Sequence, residues 1–424
     1  MSWPEKVRRI SVHNTLQNAH HSLVVPKLRS LFMCWGMDSV NESSKLIFSS
    51  GHSRLLNVLD MQDASLKKFP KQVSSLFLLK YLNLRNTKLK NIPSSIRNLG
   101  FLETLDLKKT HVSKLPVDIL ELKRLRHLLV YHYEKEPNSN THFKYGFKAM
   151  KRIGCLQSLQ KLCFIESHQH GNHIMEELGR LRQLRRLGII KFRTRDGKAL
   201  CSSIEKLKNL RAFSVTAEHK NEIIDMQHLT CPPQFLQRLY LRGRLEKLPN
   251  WISSLQGLVK LCLRWSRLTG DPLFTLHRLP NLVHLEFIQA FDGESLVFVA
   301  GGFQRLKFLG LNKLERLKRV VVEKGALPCL EKLIVGYCGL QQVPSGIENL
   351  TMLKLLVFQK MPSNFISSLH LFCGEDNWKD SHIPEVYFTD SEYGITDDVY
   401  SLESFRKGQN FLRLDAGIKR QKHE

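Results

Sequence analysis

Residues 78–107 read LLKYLNLRNTKLKNIPSSIRNLGFLETLDL, and within them the pattern L-x-x-L-x-L occurs twice. Leu79-x-x-Leu82-x-Leu84 returns as Leu102-x-x-Leu105-x-Leu107, 23 residues on. Successive side chains of an extended strand face opposite ways, so Leu82 and Leu84 point to one side while Tyr81, Asn83 and Arg85 point to the other. Between the two copies, Ile92-Pro93 leads to Ile96, Leu99 and Leu102. Apolar residues three apart suit a 3-10 or short helical return, and proline fits the first turn of such a segment because its missing N–H costs little there. One such unit cannot bury its leucines alone and needs neighbours.

The period extends over most of the chain. Its central apolar position recurs at Ile10, Leu31, Leu59, Leu82, Leu105, Leu128, Leu162, Leu187, Phe213, Leu239, Leu261, Leu285, Leu309, Leu333 and Leu356, fifteen units in all. The spacings run from 21 to 28 residues, with one of 34 between Leu128 and Leu162. Seventy of the 424 residues are leucine, as a repeating structural leucine requires. The pattern is that of the leucine-rich repeat. It predicts an α/β solenoid with parallel strands lining a concave face and short helical or 3-10 segments on the convex side. Leu59, Leu82, Leu105, Leu128, Leu239, Leu261, Leu285, Leu309 and Leu333 are the expected core. The long spacing predicts an extra loop of roughly ten residues beginning near Tyr131. After Phe358 the leucine period stops, so residues 1–361 are assigned to the solenoid and 362–424 to a C-terminal cap with a frayed basic tail.

The balance of 64 Lys and Arg against 39 Asp and Glu leaves a formal charge of +25 and a pI near 9.8. A balance of that size favours an acidic partner. No secretory signal pattern and no stretch long enough to cross a membrane is visible, so a cytoplasmic protein is expected, with peripheral membrane contact left open. The nine cysteines are scattered with no Cys-x-x-Cys pair and read as reduced thiols.

Catalytic signatures are missing from the sequence. No G-x-x-x-x-G-K-[ST], H-E-x-x-H, G-x-S-x-G or G-x-G-x-x-G occurs. His168, His170 and His173 lie close in sequence on an inter-repeat loop, where polar residues are expected, so they read as solvated rather than metal-binding. Asp106 and Glu286 fall on outward strand positions singly, which argues against a two-carboxylate hydrolase. Cys163 and Cys262 fall at strand positions expected to be exposed and are read as incidental thiols. No enzyme activity, metal, cofactor or small-molecule substrate is expected.

The outward strand positions are the better candidate. The register sets Arg238 beside Lys260 and Arg242 beside Arg264, with Tyr240 between these columns and Trp265 at the strand end. Like charges about 5 Å apart repel by roughly 1 kcal/mol in water, and an anionic partner would relieve the repulsion. The alternative is a solvated basic surface. Nucleic acid is disfavoured, because acidic residues interleave with the basic ones and no nucleic-acid module is present.

The run from Leu78 to Glu136, LLKYLNLRNTKLKNIPSSIRNLGFLETLDLKKTHVSKLPVDILELKRLRHLLVYHYEKE, resembles the repeats of intracellular plant nucleotide-binding leucine-rich-repeat disease-resistance proteins. The likeness is to the coiled-coil class and to the branch common in grasses. It extends to WPEKVRRISVHNTLQNAHHSLVVPKLRSLFM (3–33), IGCLQSLQKLCFIE (153–166) and HIPEVYFTDSEYGITDDVYSLESF (382–405). The resemblance implies a protein–protein recognition module in plant innate immunity, the sensor and autoinhibitory half of a receptor without its coiled coil and nucleotide-binding domain, as in a truncated product. Its implied partners are a pathogen effector, an acidic host protein or the switch half of a receptor. In that family repeat arginines contact an acidic motif of the coiled coil, for which Arg85 and Lys108 are the nearest candidates. A stand-alone intracellular signalling scaffold is the alternative.

Overall fold

A computed structural model describes residues 7–13, 27–34, 55–135, 142–167, 171–365, 383–389 and 399–401. The chain divides into two compact units, Met1–Phe213 and Ser214–Glu424.

In the first unit, β1 (Arg9–His13), β2 (Ser30–Cys34), β3 (Val58–Asp60), β4 (Tyr81–Asn83), β5 (Thr104–Asp106) and β6 (His127–Leu129) follow one another in parallel. A hairpin comes next, the antiparallel pair β7 (His132–Lys135) and β8 (His142–Tyr145). It occupies the long spacing after Leu128, where a plain loop was expected. The short β9 (Phe147–Lys148) then rejoins the sheet against Ile165 and Glu166 of β10 (Lys161–Glu166). β10 also pairs with β6 and with β11 (Arg186–Phe192). Two helices, α1 (Gly171–Gly179) and α2 (Gly197–Ile204), replace the shorter return limbs of the earlier repeats. The chain passes through β12 (Ala212–Ala217), which spans the division.

In the second unit the parallel ladder runs β13 (Arg238–Arg242), β14 (Lys260–Arg264), β15 (His284–Ile288), β17 (Phe308–Asn312), β19 (Lys332–Gly336), β20 (Leu355–Gln359) and β21 (Glu385–Thr389). β22 (Val399–Ser401) pairs antiparallel with β21. On the return limbs, α3 (Leu273–Leu276) precedes a second small parallel sheet of β16 (Ser295–Phe298) and β18 (Arg319–Val322). The ladder thus has one strand beyond the last unit that leucine spacing picks out. β21 escapes that pattern because Ile383, Val386 and Phe388 stand where leucines would, and all three are buried. Phe388 stacks on Phe358 of the strand beside it, centroids 5.5 Å apart.

The central residues of successive repeats align pair by pair. Ile10, Leu31, Leu59, Leu82, Leu105, Leu128, Leu162 and Leu187 form one file. Leu239, Leu261, Leu285, Leu309, Leu333 and Leu356 form the other. Every one of them is buried, and Leu59, Leu82, Leu105, Leu128, Leu239, Leu261 and Leu285 are 0% exposed. The return limbs pack from the other side: Ile96, Ile119 and Ile252, in 3-10 turns Ser94–Asn98, Val117–Glu121 and Asn250–Ser254, are also fully buried. Pro93, Pro116 and Pro249 sit one residue before these turns in extended backbone, not inside the first turn. In the Val343-Pro344 repeat the turn starts only after Gly346, whose φ is 81°. A side chain there would run into the carbonyl of Val322, so glycine is required.

Two backbone devices recur. Residues just past the strands adopt left-handed conformations without being glycine, among them Asn86, Lys109, Trp265, Gln289, Lys313, Tyr337 and Lys360, with φ between 43° and 59° or 61°. That conformation costs about 1–2 kcal/mol for an L-residue. Each of these N–H groups donates to a carbonyl of the next repeat, as Trp265 does to Ile288 at 2.8 Å and Tyr337 to Gln359 at 2.9 Å, which offsets the cost. The second device serves the first unit. Asp60 and Asp106 accept the N–H groups of Gln62 and Lys108 at 3.0 and 2.9 Å, and Asn83 accepts that of Arg85 at 3.0 Å. These are Asx turns that close the strand ends. They explain why Asp106 is buried on a strand position that points away from the leucines.

Replacing Leu105 or Leu261 by Ala is expected to cost about 2–5 kcal/mol through the cavity left behind, and Leu261→Asp to unfold its unit. Urea unfolding followed by circular dichroism measures both, and a loss below about 1 kcal/mol for the alanine variants would contradict this packing.

Candidate functional site

β13 and β14 pair in the register Arg238↔Lys260, Tyr240↔Cys262 and Arg242↔Arg264. Neighbouring strands lie about 4.8 Å apart, so four cations share one patch of the face opposite the leucines. Arg238 is exposed, while Arg242, Lys260 and Arg264 are half-buried along their stems. Of the nine outward positions on β13, β14 and β15, four are Arg or Lys and one is a carboxylate, Glu286.

The aromatic residues do something other than offer bare rings. The Arg242 guanidinium lies over the Trp265 indole at 4.0 Å and the Lys220 ammonium approaches the same ring at 5.3 Å. Trp265 therefore holds Arg242 in place, a contact of about 0.5–2 kcal/mol, and is not an open anchor. Its left-handed backbone turns the indole back toward β13. Lys260 lies over the Tyr240 ring at 5.8 Å. Lys220 was invisible to strand periodicity because it sits after β12, outside any repeat position.

Both strand cysteines are buried, contrary to the exposed placement expected from alternation. Cys262 is small and sits between Tyr240 and Glu286 on the flanking strands, which cover it. Its thiol donates to Glu286 Oε2 at 3.0 Å. Burial, with the Glu286 carboxylate beside it, pushes that thiol far above its ordinary range. Cys163 packs with Phe164 and Ile190, and Tyr131 lies edge-on to Phe164 at 5.2 Å. The two carboxylates that looked isolated are both engaged, Glu286 by Cys262 and Asp106 by Lys108.

In the first unit, Lys108 Nζ lies 3.1 Å from Asp106 Oδ2. Lys108 therefore braces the Asx turn that its own backbone closes, and Arg85 stands half-buried one repeat earlier. His173 falls in α1, while His168 and His170 lie outside the described residues. Among the described residues no group of three or more His, Cys, Asp or Glu is arranged to hold a metal. No helix among them is long and apolar enough to cross a membrane.

This ladder of parallel strands with leucine files behind them defines a leucine-rich-repeat protein. The family model for the leucine-rich repeat region matches residues 27–364, and the chain belongs to that family. It is similar to the Arabidopsis thaliana disease resistance protein RPM1, 39% identical over 367 residues, which is 86% of this chain and 38% of the relative. It is 32% identical over 216 residues to the disease resistance protein Pik-2 of Oryza sativa subsp. japonica, covering 44% of this chain and 21% of that one. The chain thus spans well under half the length of these relatives. Among solved structures, a leucine-rich-repeat protein of Leptospira interrogans shares the fold with a TM-score of 0.56 and 20% identity, over 82% of each chain.

The buried thiols make a chemical prediction. Burial also raises the Cys338 thiol, to about 12. At pH 8 both Cys262 and Cys338 are then neutral and shielded, whereas Cys231 and Cys329 are exposed. Iodoacetamide on the native protein should label Cys231 and Cys329 and spare Cys262 and Cys338, read by peptide mass spectrometry. Equal labelling of all four would contradict the assigned burial.

Proposed function

We propose that the chain is the ligand-recognition module of a plant immune receptor, acting in the cytoplasm by binding protein and not by catalysis. Its similarity to disease resistance proteins, over 86% of its length for RPM1 and 44% for Pik-2, supports this reading. The observation that carries it is the patch of Arg238, Arg242, Lys260 and Arg264 on two paired strands. Four cations in that space repel one another, and folding does not require them there, since the leucines behind them supply the core. An acidic protein surface complements their charge, whether on a pathogen effector, a host protein or the switch half of a receptor. Arginine suits it through bidentate contacts with carboxylates. Trp265 and Tyr240 orient the cations ahead of binding, which lowers the ordering cost. Arg85 and Lys108 form a second, lesser candidate contact in the first unit. Residues 362–424 act as the cap that ends the ladder, a role supported by the antiparallel pairing of β22 on β21.

Charge attraction of this kind raises the association rate more than the final affinity, and salt weakens it. The double variant Arg242→Glu with Arg264→Glu should lose the acidic proteins that wild type retains from plant extract at low salt, with a melting temperature within a few degrees of wild type. Wild type itself should lose them at high salt. Recovery of the same proteins by both forms at both salt levels would reduce the patch to a solvated face.

A further inference from the structure

We propose that the strands of the second unit form a two-part groove, cationic over β13 and β14 and apolar over β17, β19 and β20. It takes an extended segment of a protein partner that carries an acidic cluster and, about four residues on, one large apolar side chain. This rests on the reading of the cationic patch given above and adds a second half to it.

The composition of the face changes sharply along the ladder. The nine outward positions of β17, β19 and β20 contain one charge, Lys332. Around it stand Phe308, Ile334 and Leu355, all half-buried, and Val357. Two glycines lie beside Ile334 and let neighbouring side chains close in around it. Gly310 pairs with it on the next strand, and Gly336 lies two residues along its own. A Cβ on Gly310 would stand 3.1 Å from the Phe308 ring and 3.4 Å from the Glu286 side chain. A Cβ on Gly336 would stand 3.0 Å from Gln359 and 3.1 Å from Asn312. The Phe308 ring and the Glu286 side chain thus lean over Gly310, and Gln359 and Asn312 lean over Gly336, so that Ile334, half-buried between them, is the apolar floor of a site walled by Phe308 and Leu355.

The wall of this half is already set. The Phe308 ring stacks on His284 with centroids 4.1 Å apart and planes 4° from parallel. Lys332 approaches its other face at 6.0 Å. A ring held from both sides loses little freedom on binding. The boundary between the halves is the Cys262–Glu286 contact, in which the one outward carboxylate of β13–β15 is occupied by a thiol of the neighbouring strand.

The spacing fixes the ligand. From β14 to β19 are three strand steps, by way of β15 and β17. At about 4.8 Å each this is roughly 14 Å, and an extended peptide covers it in about four residues. The acidic end supplies steering that salt screens, and the apolar end supplies burial that salt does not weaken.

The test uses the full chain and two fluorescein-labelled 12-residue peptides, read by fluorescence anisotropy at low and high salt. One carries Asp-Glu-Asp with Trp four residues later, and the other has Ala in place of the Trp. The Trp peptide should bind roughly tenfold more tightly, as burial of one large side chain implies, and the ratio should persist at high salt. Ile334→Ser and Leu355→Ser, each checked for an unchanged melting profile, should remove that ratio and leave the Ala peptide's affinity as in wild type. Arg264→Glu should weaken both peptides and keep the ratio. Equal affinity for the two peptides, or a ratio untouched by both apolar variants, overturns the groove while leaving the cationic patch in place. Binding insensitive to Arg264→Glu, or no binding of either peptide, overturns both.

Discussion

Everything on this protein's strand face depends on one constraint, the parallel register that sets each repeat's central leucine beside the next. A strand of three to six residues buries too little to hold itself. Stacked in register, Leu82, Leu105 and their counterparts exclude water completely. The same register governs the opposite face. Because like position stands beside like position, residues 22 to 24 apart in sequence become neighbours at the spacing of a sheet. A few substitutions at one repeat position thus become a column with a character of its own. Arg242 over Trp265, Cys262 on Glu286 and His284 on Phe308 are all contacts between adjacent repeats or a strand and the turn beside it.

That rule also explains how much could be read without coordinates. The central residues were legible because leucine at a fixed interval has one simple physical reading: the eight from Ile10 to Leu187 and the six from Leu239 to Leu356 pair in register as the spacing implied, and Phe213 is buried. The cationic pairs were legible for the same reason. What failed was the step from direction to exposure. Cys163 and Cys262 point away from the leucines yet are buried, because a small side chain between larger ones is covered by them. Asp106 and Lys108 looked like free surface groups, but the carboxylate closes a turn and the ammonium pairs with it. Trp265 looked like an anchor, yet a left-handed backbone that no propensity predicts for tryptophan folds its ring under Arg242. The hairpin β7–β8 and the strand β21 were missed because neither follows the leucine period, one being an insertion and the other using Val and Phe.

The two units spend their outward positions differently. In the first, Asp60, Asn83 and Asp106 turn the middle column into a set of turn-closing hydrogen bonds, with Asn83 Nδ2 also donating to Asp60 at 3.0 Å. In the second, the corresponding column runs Tyr240, Cys262, Glu286, Gly310, Ile334 and Val357, and no Asx residue appears in it. Freed from that structural duty, the second unit can carry a face chosen for what it contacts. Membership in the leucine-rich-repeat family accounts for the ladder; the columns of this chain account for its proposed preference for an acidic partner.

The central claim is that the cations on β13 and β14 serve binding and not folding. Urea unfolding of Arg264→Gln set against wild type tests it most directly. The account predicts stability equal to wild type or higher by a few tenths of a kcal/mol, because removing one charge relieves repulsion from Arg242 across the strand pair. A loss of more than about 1 kcal/mol would show that Arg264 supports the fold, and would contradict the claim.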